Sequence, residues 1–305
     1  MKRATPVPYK IDDITTVHRL LGLPSPMHPL VSLIDNTKIA ATVEELPKSL
    51  LLNFYKISYK KLPKGRIGYG QGYYDFDEGG LVFTAPHQII SIMENETELY
   101  GVTLLIHPDF IRNHALGKDI KKYGFFAYEA NEALHLSEKE RTTILEILEH
   151  INRELNNPID DFSQDVLLSY IEVLLNFSNR FYKRQFITRK TVNHDLLSTM
   201  EQLLNNYFDD EKALHQGLPT VEYLAAQLHL SPRYLSDMLR SLTGQNAQQH
   251  IHEKLIEKAK EKLSTSDLSI SEIAYELGFE HPQSFSKLFK IKTKQSPLEF
   301  RQGFN

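Results

Sequence analysis

The stretch from Val221 to Gly244 and the stretch from Ile270 to Lys294 repeat one pattern, and that repeat constrains this 305-residue chain more than any other feature. Val221, Leu224, Ala225 and Leu228 recur 49 positions later as Ile270, Ile273, Ala274 and Leu277. Beyond a turn, Leu235, Ser236, Leu239 and Thr243 recur 50 positions later as Phe285, Ser286, Phe289 and Thr293. Spacings of three, four and seven mark one buried face of a helix. The change of offset puts the second copy's extra residue in the turn, where an insertion disturbs no packed helix. Each copy therefore reads as helix, turn, helix.

The punctuation agrees. Thr220 is placed as N-cap of copy one's first helix, and Ser269 with Glu272 makes a capping box for its counterpart. Ser231-Pro232 and His281-Pro282 start the second helices, where proline at the first helical position removes an N–H that has no partner anyway. Ala225 and Ala274 stand where the paired helices cross closely. Gly278 suits a helix end in left-handed conformation, after which Phe279 returns to the core. A further helix, about Gln248–Leu263, joins the copies.

In a helix-turn-helix the second helix enters the major groove of DNA, and its outward N-terminal residues reach base edges. With Phe285, Leu288 and Phe289 turned inward, the outward set in copy two is Gln283, Ser286, Lys287 and Lys290; in copy one it is Arg233, Ser236, Asp237 and Arg240. Glutamine can pair with adenine, lysine with guanine, and serine with a base or a phosphate. Asp237 is the odd member, because a carboxylate repels phosphate and only accepts hydrogen bonds, for example from a cytosine amino group. A polar helix face is usually just solvated, and one helical corner would carry little weight. Two copies joined by a helix point to double-stranded DNA.

The charge distribution has the sign this needs. The net charge is −4, but residues 1–176 hold 18 basic against 24 acidic residues, whereas 218–305 hold 11 against 10. Residues 281–294 contain Lys287, Lys290, Lys292 and Lys294 and no acid. Cysteine is absent, which excludes disulfides, thiol catalysis and cysteine-ligated zinc. No apolar run reaches membrane-spanning length and "MKRATPVPYKIDD" has no apolar segment behind its basic residues, so a cytoplasmic protein without membrane contact is expected.

Residues from about 192 to 305 resemble the two-motif DNA-binding domain of AraC-type transcription regulators; "DLSISEIAYELGF" followed by a recognition helix and "SPLEFR" (296–301) is similar to the C-terminal signature of that family. Two positions depart from it: Lys294 stands where glycine is usual, implying a strained or frayed helix end, and Leu255 stands where a basic residue is common, implying loss of a polar tie. The resemblance implies a regulator, not an enzyme, that reads two successive major-groove segments. It also implies an N-terminal cupin-like barrel, a helical dimerisation segment, homodimerisation, an effector that alters how the DNA domain is presented, and contact with RNA polymerase if the protein is an activator.

The rest of the chain reads in that order, as an α+β protein. Residues 1–30 form an N-terminal arm with a short helix at about Ile11–Leu21. Residues 31–136 form a small β-barrel or sandwich. Residues 137–181 form a helical hairpin opened by the Ser137/Glu140 capping box, its second helix apolar nearly all round and needing cover from a dimer partner or from its own barrel. Residues 182–195 are a basic linker, and 196–305 the tandem helix-turn-helix domain. Tyr69, Tyr73, Phe83 and His87 are candidates for an effector pocket, although barrel core explains such aromatic residues equally well. "RIGYGQGYYD" (66–75) is similar to a nucleotide-binding signature of 5-formyltetrahydrofolate cyclo-ligases and keeps open a rival ATP- or folate-dependent enzyme; glycine-rich barrel turns account for it otherwise. A third alternative is a regulator whose barrel is only an interaction platform. Among the 13 histidines, those of residues 1–136 include no His-x-His pair and His87 and His107 are isolated, so neither metal nor cofactor is expected.

Overall fold

The computed structural model describes residues 8–303 apart from 43–44, 62–65, 70–71, 76–78, 92–99 and 189. The chain divides into two units between Gln185 and Phe186.

The first unit is built on short strands: β1 (Tyr9–Ile11), β2 (Val31–Asp35), β3 (Ser49–Leu52), β4 (Tyr55–Lys61), β5 (Arg66–Tyr69), β6 (Gly72–Asp75), β7 (Gly80–Thr84), β8 (Ile89–Ser91), β9 (Tyr100–Ile106) and β10 (Leu134–His135). Five of them form a sheet in the order β10-β7-β4-β9-β2, three form a second sheet β1-β3-β8, and β5 pairs with β6. Among the described residues the sheets are not closed into a barrel: β2 and β10 remain edges of the larger one. Alternation explains the central strand, since Ile57 and Tyr59 of β4 are buried on one face. On the other face Ser58 bonds Thr103 at 3.0 Å, and Thr103 donates to Asn36 at 3.0 Å, which satisfies polar groups the sheet would otherwise bury alone.

The described residues of the expected arm, from residue 8 on, are instead folded into this unit. Strand β1 runs parallel to β3, and helix α1 (Ile14–Leu20) is shorter than the expected Ile11–Leu21 because Asp13 caps it. Ile11, Ile14 and Val17 are buried in one cluster with Leu50, Leu52, Phe54 and Leu105. Their apolar side chains, not the prolines after them, decide the placement of the segment.

Helices α2 (Pro108–Ile111) and α3 (Ala115–Asp119) lead through single turns to the hairpin of α4 (Glu138–Asn156) and α5 (Ser163–Thr188). Ser137 and Glu140 form the predicted capping box, and Glu140 also takes a two-pronged contact from Arg184, at 2.9 and 2.5 Å. Part of the apolar circumference of α5 is covered: Leu167, Leu168, Ile171, Leu174 and Leu175 are buried and Tyr182 stacks on Phe125, whereas Val173 and Ile187 stay exposed. The basic stretch expected as a linker is helical. α5 runs to Thr188, with Phe181, Tyr182 and Phe186 buried on one side while Arg180 and Lys183 face out.

The second unit is all helical: α6 (Lys190–Asp209), α7 (Lys212–Gln216), α8 (Val221–Gln227), α9 (Pro232–Thr243), α10 (Ala247–Thr265), α11 (Ile270–Glu276), α12 (Pro282–Thr293) and α13 (Pro297–Gln302). α8 and α11 are offset by 49 residues, α9 and α12 by 50, as the sequence repeat requires. Leu255, Ile256, Ala259 and Leu263 of α10 pack with Ile273, Ala274, Leu277, Phe285 and Phe289. Leu255 is fully buried, so apolar contact replaces the polar tie there. α10 is tied to its neighbours elsewhere, by Lys258 with Asp209 of α6 at 2.7 Å and Lys262 with Glu276 of α11 at 2.6 Å.

Candidate nucleic-acid interface

Each half of the repeat is held by the same local chemistry. Thr220 accepts from the Tyr223 N–H, Ser231 from that of Tyr234, and Ser269 from that of Glu272. His281 caps α12 by backbone geometry alone, with Pro282 at the helix start. Both turns close through the same long bond, Leu230 N–H to Ala225 carbonyl and Phe279 N–H to Ala274 carbonyl, each 2.9 Å. The residue that lets the chain turn is His229 (φ 56°) in copy one and Gly278 (φ 91°) in copy two. Ala225 and Ala274 are fully buried at the crossings. Thr243 and Thr293 end the second helices alike: each hydroxyl donates to a carbonyl four residues back, Leu239 at 2.9 Å and Phe289 at 2.8 Å.

Gly278 has a role that local pattern does not show. A Cβ there would lie 2.7 Å from the Gly217 carbonyl carbon and 2.9 Å from the Ala213 oxygen. The turn of copy two is thus pressed against the end of α7. Lys294 adopts φ 68° where Gly244 has φ 80°, and α12 still runs intact to Thr293 with the Lys294 N–H bonded to Lys290. The end is strained and does not fray.

These frames bury one side of α9 (Tyr234, Leu235, Met238, Leu239) and one side of α12 (Phe285, Phe289). The opposite sides carry the predicted residues. Arg233 and Arg240 are exposed, and Ser236 and Asp237 are half-buried; Gln283, Lys287 and Lys290 are exposed, and Ser286 is half-buried. The faces differ electrostatically. Asp237 accepts from Arg233 Nε at 2.9 Å and from Arg240 Nη1 at 3.3 Å, so copy one presents two guanidinium groups joined by one carboxylate. Among the described residues Lys287, Lys290, Lys292 and Lys294 form no salt bridge, and α12 presents unneutralised charge; Lys290 lies near enough to help hold the Glu299 carboxyl below its ordinary value, behind the larger effect of the Ser296 bonds.

An open pocket of about 380 Å³ lies on the outward face of α9, where Arg233, Ser236, Asp237 and Arg240 are joined by Asn246 and Gln248. Those last two were missed from sequence. The signal was present, because Asn246 and Gln249 form a capping box directly after Gly244 and set Gln248 in the first turn of α10. His252, one turn further, is held below its ordinary value by burial and then by the Lys292 charge.

The N-terminal candidates separate. Phe83 is buried in an aromatic cluster with Phe125, Phe126 and Tyr182, whereas His87 is exposed in a turn at φ 66°. The side chains of Tyr69 and Tyr73 lie outside the described residues. Within "RIGYGQGYYD", β5 and β6 pair antiparallel with Arg66 opposite Asp75, and the next described element is β7, so among the described residues no helix N-terminus follows to receive a phosphate. His107 caps α2 through Nδ1, which accepts from the Asp109 N–H at 3.1 Å.

A family model described as a helix-turn-helix domain matches residues 224–303. The HTH-type transcriptional regulator YfiF of Bacillus subtilis is 24% identical over 253 residues, 82% of this chain and 77% of that protein. The HTH-type transcriptional activator RhaS of Salmonella paratyphi A is 29% identical over 158 residues; the match takes in 52% of this chain and spans about half, 51%, of RhaS. Among solved structures, the C-terminal domain of the two-component response regulator yesN of Fusobacterium nucleatum is 32% identical, with 33% of this chain and 96% of that one covered and a TM-score of 0.29.

Proposed function

From the premise that the C-terminal region of this chain is an AraC-type helix-turn-helix domain of a DNA-binding transcription regulator, we propose that one chain reads two adjacent major-groove segments of a duplex, one with α9 and one with α12. The observation that carries the proposal is the pair of outward polar faces in matching register on two buried frames. Gln283 is assigned to adenine, Lys287 to guanine and Ser286 to a base or phosphate; Arg233 and Ser236 take the equivalent places in copy one, beside Asp237. Arg240 and Lys290, farther along their helices, are assigned to the backbone, where contacts position the protein without reading sequence.

The test is affinity for a duplex selected from random sequence by the full chain. Lys287→Ala is expected to weaken binding by about 1–3 kcal/mol. Unchanged affinity in both Lys287→Ala and Arg233→Ala would refute the assignment of the faces.

The N-terminal unit is assigned the regulatory role: an effector bound there shifts the population of DNA-competent states, and only a difference in its affinity between states can do so. RhaS is an activator by name; on that analogy the chain acts on RNA polymerase at its promoter. Calorimetry against a metabolite library, with DNA binding measured in parallel, tests the effector. No hit together with intact DNA binding would leave the unit as an interaction platform.

A further inference from the structure

Asp237 is the one acid on either outward face, and its surroundings argue against the plain reading that it touches a base. Residues four before it and three after it lie on the same side of a helix, so Arg233, Asp237 and Arg240 form a continuous row. One carboxylate oxygen accepts from Arg233 Nε at 2.9 Å and the other from Arg240 Nη1 at 3.3 Å. The Asp237 side chain is 18% exposed, against 45% for Arg233 and 53% for Arg240. A duplex approaching α9 therefore meets guanidinium groups first, with the carboxylate recessed between them.

We propose that Asp237 is a positioning residue that determines the sequence specificity of the first recognition helix, holding Arg233 and Arg240 as restrained, part-neutralised forks. The inference rests on the DNA-binding reading above and deepens it. Arginine has five N–H donors, so the bond from Arg233 Nε leaves both of its terminal nitrogens free to meet the O6 and N7 of a guanine. An arginine already held by a neighbour also loses less rotamer freedom on binding than a free one.

Charge completes the argument. Arg233, Asp237 and Arg240 together carry one net positive charge, whereas Gln283, Ser286, Lys287 and Lys290 carry two. Sequence-independent affinity for DNA follows the number of phosphates neutralised. The second helix is accordingly the main source of general, salt-dependent grip, and the first, with its charge reduced by Asp237, contributes discrimination. A helix bearing two free arginines would hold any duplex more tightly and distinguish sequences less.

The test uses the full-length chain, a pool of randomised duplexes, and the variants Asp237→Asn and Asp237→Glu, with helical content measured to check folding. For Asp237→Asn the expected result has three parts. Base preference falls roughly tenfold within one segment of the selected site. Affinity for unselected duplex rises, and the slope of log affinity against log salt steepens by about 1. Preferences in the segment read by α12 stay as they were. Asp237→Glu, which keeps the charge, is expected to retain the wild-type salt slope. Unchanged preferences and slope in Asp237→Asn would overturn the proposal. Loss of preference for cytosine at a single position, with no change of slope, would also overturn it, because Asp237 would then be reading a base. If the wild-type chain enriches no sequence at all, it is the DNA-binding reading that fails.

Discussion

Replacing Gly278 with alanine tests how the second helix-turn-helix is seated. Two costs add. The backbone there has φ 91°, a conformation that costs an L-residue roughly 1–2 kcal/mol. The new Cβ would also lie 2.7 Å from the Gly217 carbonyl carbon and 2.9 Å from the Ala213 oxygen. These are backbone atoms that cannot rotate away, and forced overpacking of this kind costs about 1–3 kcal/mol. The sum is about 2–5 kcal/mol. Gly244→Ala is the matched control: its φ is 80°, but nothing lies within 4 Å of the added atom, so only the conformational cost applies. Hydrogen exchange of the amides of α7, α11 and α12 in the full chain reports the local free energy. The reasoning predicts that Gly278→Ala loses about 1–3 kcal/mol more than Gly244→Ala. Equal losses would refute the close approach of the turn to α7.

Three further outcomes are expected. Lys294→Gly relieves a left-handed lysine and should stabilise α12 by up to about 1 kcal/mol, less the entropy glycine adds to the unfolded chain; a slower exchange of the Lys290–Thr293 amides checks it. His28 is held below its ordinary value of 6.5 by burial, and its Nδ1 accepts from the N–H groups of Leu30 and Val31, both at 3.1 Å. A lowered folded value means its contribution is present above pH 6.5 and is lost as pH falls, so the first unit should weaken on acidification, and His28→Asn should flatten that part of the pH profile. Arg184→Ala removes two bonds to Glu140 and one to the His135 carbonyl and should cost the first unit about 1–3 kcal/mol in urea unfolding; a change within about 0.5 kcal/mol would mark the contact as a mere surface pair.

What was legible in the sequence is what is encoded locally. The caps at Ser137, Thr220, Ser231 and Ser269 depend on a side chain and a backbone N–H three residues apart, and each is found where the spacing placed it. The outward faces of α9 and α12 follow from helical period: Arg233, Arg240, Gln283, Lys287 and Lys290 are exposed, and Ser236, Asp237 and Ser286 half-buried. What was missed depends on partners distant in the chain. β1 pairs with β3, some 40 residues away, and nothing in "YKI" specifies that. Gly278 looks like an ordinary helix stop until Gly217 is set against it. Residues 182–195 looked like a linker because their charges are conspicuous, yet the apolar Phe181, Tyr182 and Phe186 keep the helical spacing of α5. The spacing of Asp237 to Arg233 and Arg240 already allowed the two ion pairs the structure shows.

The central claim is that two recognition helices of a single chain occupy neighbouring turns of the same duplex. Methylation interference on the selected site, with wild-type protein, Arg233→Ala and Lys287→Ala, tests it most directly. Two major-groove segments about 10 base pairs apart are predicted for wild type, with Arg233→Ala losing one and Lys287→Ala losing the other. A single segment, or loss of the same segment in both variants, would contradict the account.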